Sequence, residues 1–90
     1  MAITVYFSPS EMTTDQYDEV IRKLEEAGQG SPDGRIFHTC FSASGMLGVI
    51  DVWESAEHFQ AFGEALIPIL QEVGAPVSDP HIFDNHNYIG

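Results

Sequence analysis

Two runs of strand-forming residues, Arg35 to Ala43 and Met46 to Trp53, are separated only by Ser44-Gly45. A connection this short leaves no room for a crossover, so the two runs must pair as an antiparallel hairpin. Both carry apolar side chains on both parities: Ile36 and Phe37, Val49 and Ile50, Val52 and Trp53. Successive strand residues point to opposite faces, so this hairpin needs cover on both sides. A chain of 90 residues must supply it.

One cover is helical. Ala2 to Ser8 alternates as a strand, with Ile3, Val5 and Phe7 against Thr4 and Tyr6, and Pro9 ends it. Thr13 with Gln16 three residues on forms a capping box, and Met12 can staple against Tyr17. Tyr17, Val20, Ile21, Leu24 and Ala27 mark one helical face, and Gly28 gives the left-handed stop. Ser55 caps a second helix with Phe59, Phe62, Leu66, Ile69, Leu70 and Val73 inward, ended by Gly74 and Pro76. Pro68 lacks the helical donor, which predicts a kink or restart there. A last strand is expected over about Pro80 to Asn87.

The resulting order, β-α-β-β-α-β, is an α+β, ferredoxin-like arrangement with an antiparallel sheet, in one domain spanning residues 1–90. Right-handed crossovers place both helices on the same sheet face. The other face is then an apolar patch too large for a soluble monomer, and packing two sheets together as a homodimer covers it.

Fourteen acidic residues oppose three basic ones, Arg22, Lys23 and Arg35, for a formal charge of -11. Such a surface repels phosphate backbones and anionic lipid heads, so nucleic acid and membrane are excluded as partners. The single cysteine, Cys40, forms no internal disulfide and suits a reducing compartment, where a strand position makes it an inert thiol. The opening residues MAITVYFSPS lack a basic segment and a long apolar stretch, so a cytoplasmic location is expected.

If the hairpin is symmetric about Ser44-Gly45, Ile36 faces Trp53, His38 faces Asp51 and Cys40 faces Val49. A carboxylate beside an imidazole orients the ring and raises its basicity, as a general base requires. The same two residues could equally be a polar pair that satisfies itself in a covered sheet. A shift of one residue in register would separate them onto opposite faces. In the final strand His81 and His86 have opposite parity and cannot converge on one ion, so no metal site is expected. His86 is instead a pocket residue or part of a tail reaching a partner, and His58 is a surface residue near a helix cap. Trp53 by itself reads as core.

The stretch Val49-Ile50-Asp51-Val52-Trp53-Glu54-Ser55-Ala56-Glu57-His58-Phe59, with the length and element order, resembles the dimeric α/β-barrel superfamily, within it the antibiotic-biosynthesis-monooxygenase-like group. The resemblance implies a homodimer with a pocket between sheet and helices of each subunit, and no cofactor. Relatives in that superfamily oxidise aromatic polyketides with molecular oxygen, isomerise lactones, dehydrate aldoximes or bind haem. Asp51 and Trp53 match pocket-lining strand positions, whereas the helix histidine common in these families falls near Phe62 and is absent. The expected protein is therefore a small-molecule protein resembling cofactor-independent monooxygenases and binding an apolar or aromatic ligand. His38 is its candidate base, Asp51 the orienter, and Trp53, Phe59, Phe62, Tyr17 and His86 the candidate pocket residues. The other reading is a non-catalytic dimeric binding or scaffold domain in which these residues only pack.

Overall fold

A computed structural model of the chain describes residues 1–8, 12–43, 45–77 and 79–89. Pro9 and Ser44, to which the first strand's end and half of the hairpin turn were assigned, lie outside them. The elements run β1 (Ile3–Phe7), α1 (Thr14–Glu26), β2 (Arg35–Ala43), β3 (Met46–Trp53), α2 (Ala56–Val73) and β4 (His81–Asp84). All neighbouring strands are antiparallel and the sheet order is β2-β3-β1-β4, the ferredoxin-like topology.

Local chemistry explains the boundaries. Thr13 accepts from the Gln16 amide at 3.1 Å while the Gln16 side chain accepts from the Thr13 amide at 3.0 Å, so the capping box closes α1 at its start. Ser55 accepts from the His58 amide at 3.2 Å and starts α2. Gly74, at φ 78°, ends α2 in the left-handed region that glycine enters without Cβ strain.

Both helices lie on the face of the sheet carrying Ile3, Val5 and Trp53, with Val20, Leu24, Phe62 and Leu70 closing a single core. Three expectations are corrected. α2 is continuous from Ala56 to Val73 and does not restart at Pro68. Pro68 and Glu64, whose carbonyl loses its donor, are both exposed, so water can take that bond while the buried stripe holds the helix together. β4 is four residues, ending at Asp84 rather than near Asn87. Beyond it Asn85 still ties to β1, donating from its backbone to Ala2 O at 3.0 Å and from its side chain to Thr4 Oγ1 at 2.9 Å.

The third correction is in the hairpin. From Phe37 to Ala43 the register is the symmetric one, including His38 with Asp51 and Cys40 with Val49. Next to Phe37 it shifts, so Arg35 and not Ile36 faces Trp53, and Ile36 becomes the extra residue of a β-bulge. Gly34, at φ 84°, feeds that bulge and accepts from the Glu54 amide at 2.7 Å. A Cβ on Gly34 would fall 2.3 Å from Cγ of His58, so both the backbone and the packed ring require glycine there.

The opposite face of the sheet presents Phe37, Phe41, Met46 and Phe83, each between 38% and 57% exposed. The end of the chain folds back onto that face, with the Tyr88 ring 5.8 Å from Phe37.

Candidate functional site

The row Val5, Asp51, His38 runs across β1, β3 and β2 on the helix-covered face. Asp51 is the one buried charged residue among those described. A lone buried carboxylate is costly, and its partner is the imidazole opposite: His38 Nδ1 lies 2.5 Å from Asp51 Oδ1. From the first turns of α1, the Tyr17 hydroxyl reaches the other ring nitrogen, Nε2, at 2.5 Å. The two rings are parallel within 1°, with centroids 6.1 Å apart.

For a neutral His38 ring, donors and acceptors set the proton positions. A carboxylate can only accept, so Nδ1–H donates to Asp51. The neutral ring then has a lone pair on Nε2, and Tyr17 O–H donates to it. Burial, followed by the negative charges of Cys40 and Asp51, pushes the Tyr17 phenol up from 10.0 to about 12, against a lowering pull from Arg35. The phenol therefore stays protonated at neutral pH and remains a donor. The folded state holds this proton more tightly than the unfolded chain, so the contribution is complete below pH 10.0 and is lost as pH rises towards about 12. Tyr17→Phe should remove the highest-pH component of the phenolate absorbance titration near 295 nm. A wild-type profile in which Tyr17 ionises with the earliest tyrosine would contradict this environment.

A cavity of about 720 Å³ opens between the sheet and the two helices. Tyr17, His38 and Asp51 line it together with Phe7, Val49, Phe59, Phe62 and Leu66, so a three-residue polar chain faces a mainly apolar chamber, whose other polar lining residues are Arg35, Gln60, Glu64 and Asp79. A second recess of about 460 Å³, bounded by residues 28–31, shares Tyr17, His38 and Arg35 with the first.

Of the residues expected in a pocket, Tyr17, His38, Asp51, Phe59 and Phe62 line this cavity. Trp53 and His86 do not. Trp53 is fully buried behind the wall, its ring 5.7 Å from Phe59 and 5.2 Å from Phe62. His86 is exposed in the segment after β4, whose Tyr88 packs on its own sheet. His58 lies in the first turn of α2, its Nδ1 2.7 Å from Oγ of the capping Ser55. His38 is the cavity's one histidine among the described residues, and both its nitrogens are engaged. No group of three or more His, Cys, Asp or Glu side chains among the described residues is placed to hold a metal ion. The bond between Tyr17 and His38 has no sequence signal, because no spacing rule connects a helix residue to a strand 21 positions away.

This arrangement sits in a known architecture. SnoaB of Streptomyces nogalater, a cofactor-independent oxygenase, superposes with a TM-score of 0.68 over 98% of this chain and 95% of its own, at 14% identity. The fold is that of the antibiotic-biosynthesis-monooxygenase-like proteins. A protein of that type from Chloroflexus aurantiacus matches at 0.65 over 100% of this chain and 98% of its own, at 17% identity. The haem degrader MhuD of Mycobacterium tuberculosis, seen with two haems in its active site, matches at 0.51 over the full length of both chains, at 16% identity. No family model and no curated protein matches the chain in sequence. No helix among the described residues is long and apolar enough to cross a membrane.

Proposed function

We propose that this chain binds an apolar or aromatic small molecule in the 720 Å³ cavity and withdraws a proton from it, without a cofactor. The observation that carries this reading is the chain Tyr17–His38–Asp51, with both links at 2.5 Å, ending in an apolar chamber. Tyr17 passes its proton to Nε2 as it takes one from the ligand. The imidazolium that forms stands against the Asp51 carboxylate, which stabilises it and holds the ring. The product is a ligand carbanion or enolate, the species that reacts with molecular oxygen in cofactor-independent oxygenation. That step agrees with the oxygenase named among the structural neighbours.

The test is solvent exchange. 2-Tetralone has acidic C1 protons beside a fused aromatic ring, and wild-type protein should speed their replacement by deuterium in D2O, followed by proton NMR. Exchange no faster than with bovine albumin at equal concentration would end this reading.

The working form we propose is a homodimer joined through the exposed sheet face. Phe37, Phe41 and Phe83 leave an apolar surface there, and a stable interface of about 1,200 Å² or more is expected to cover it. Phe41 stands over Gly48, where an added Cβ would meet its ring at 2.4 Å, so Phe41→Asp places a charge in the middle of the face. Light scattering should give a dimer for wild type at micromolar concentration and a monomer for Phe41→Asp. A wild-type monomer up to millimolar concentration would contradict the assembly.

A further inference from the structure

The three cations of this acidic chain differ in their partners. Arg22 pairs with Glu19 and Glu26, and Lys23 pairs with Glu72 at 2.8 Å. Arg35 has no carboxylate partner among the described residues. Its one side-chain bond there is from Nη2 to the Gly30 carbonyl at 3.0 Å, and a guanidinium has five N–H donors.

The bulge decides where this charge points. In an unbroken ladder, alternation would put Ile36 on the helix-covered face and Arg35 on the opposite one. The extra residue at Ile36 turns Arg35 to the position facing Trp53 and leaves Ile36 40% exposed. An apolar side chain is moved out so that a cation can be turned in. Arg35 consequently lines both the main cavity and the recess beside it, next to Tyr17 and His38. Glu25, Glu64 and Asp79 also line these spaces, but all three are exposed, and none approaches Arg35 within ion-pair distance.

We infer that Arg35 anchors an anionic oxygen of the ligand, so the substrate class is an aromatic molecule bearing a carboxylate or a phenolate. This rests on the cavity being a ligand site, as proposed above. On a protein of charge -11, an anion is repelled by the surface at large, and a planar guanidinium in the wall of a mainly apolar chamber restores its binding locally. It also sets the ligand's orientation, with the anionic end at Arg35 and the ring in the chamber beside the Tyr17 hydroxyl.

2-Naphthoate and its neutral isostere 2-naphthamide test the inference by titration calorimetry against wild type, Arg35→Gln and Arg35→Lys. Naphthoate should bind wild type about tenfold or more tightly than Arg35→Gln, while naphthamide should bind both within about twofold. Arg35→Lys should fall between, since it keeps the charge and loses the fork. Equal naphthoate affinity for wild type and Arg35→Gln, with naphthamide still bound, overturns the anchor and leaves the cavity reading intact. A parallel loss of both ligands in Arg35→Gln makes Arg35 a support for the 28–34 loop, which also overturns the anchor. Binding of neither ligand to wild type removes both the anchor and the cavity reading.

Discussion

His38→Gln should lower 2-tetralone exchange by about 10²–10⁴-fold while leaving the fold in place. Glutamine can still donate an N–H toward Asp51, so the buried carboxylate keeps a partner, but an amide takes no proton at neutral pH. His38→Ala is the poorer probe. It leaves Asp51 buried and unpartnered, at a cost of about 3–5 kcal/mol, so lost activity could not be separated from lost fold. Asp51→Asn keeps the shape and removes the charge that faces the imidazolium, and its effect should be a smaller fall in the same rate. NMR exchange rates for the variants, with thermal melts beside them, check the order. Full activity in His38→Gln would remove the histidine from the mechanism.

Trp53→Ala should cost about 3–5 kcal/mol through the cavity left by a fully buried indole. For a domain of this size, each kcal/mol lowers Tm by about 4–8 °C, so the variant should be largely unfolded at physiological temperature. Trp53→Phe should cost much less. The indole Nε1 is buried without a hydrogen-bond partner, so replacing it leaves nothing unsatisfied. Denaturant melts of the two variants measure both. A Trp53→Ala protein as stable as wild type would mean that Trp53 is not the centre of the core.

The resemblance had suggested a pocket role for Trp53, whereas its residue type alone suggested core, and the coordinates place it in the core. The physical reason is layering. Phe59 and Phe62 on α2 stand between the indole and the chamber, and a strand position shows only which face a side chain takes, not what lies above it. The His38–Asp51 opposition could be read from the hairpin because turn length determines register, and the register holds across Phe37 to Ala43. It fails at Ile36 because a bulge is one extra residue with no composition of its own. For Arg35 the sequence therefore shows a basic residue at the start of a strand and not the side on which it lies. The helix faces, caps and element order were all legible, since hydrophobic period and cap chemistry are local. The restart expected at Pro68 does not occur, because a helix held by the stripe it buries can continue across one missing bond.

With a neutral ring, His38 holds its proton on Nδ1 against Asp51 and offers Nε2 to Tyr17, and the imidazole nitrogens report this arrangement directly. Long-range proton–nitrogen correlation spectra of ¹⁵N-histidine protein at about pH 8 distinguish the two tautomers of a neutral ring. His38 should show a single Nδ1–H tautomer, with an Nε2 shift that moves in Tyr17→Phe because its donor is gone. An Nε2–H tautomer, or an Nε2 shift indifferent to Tyr17→Phe, would contradict it.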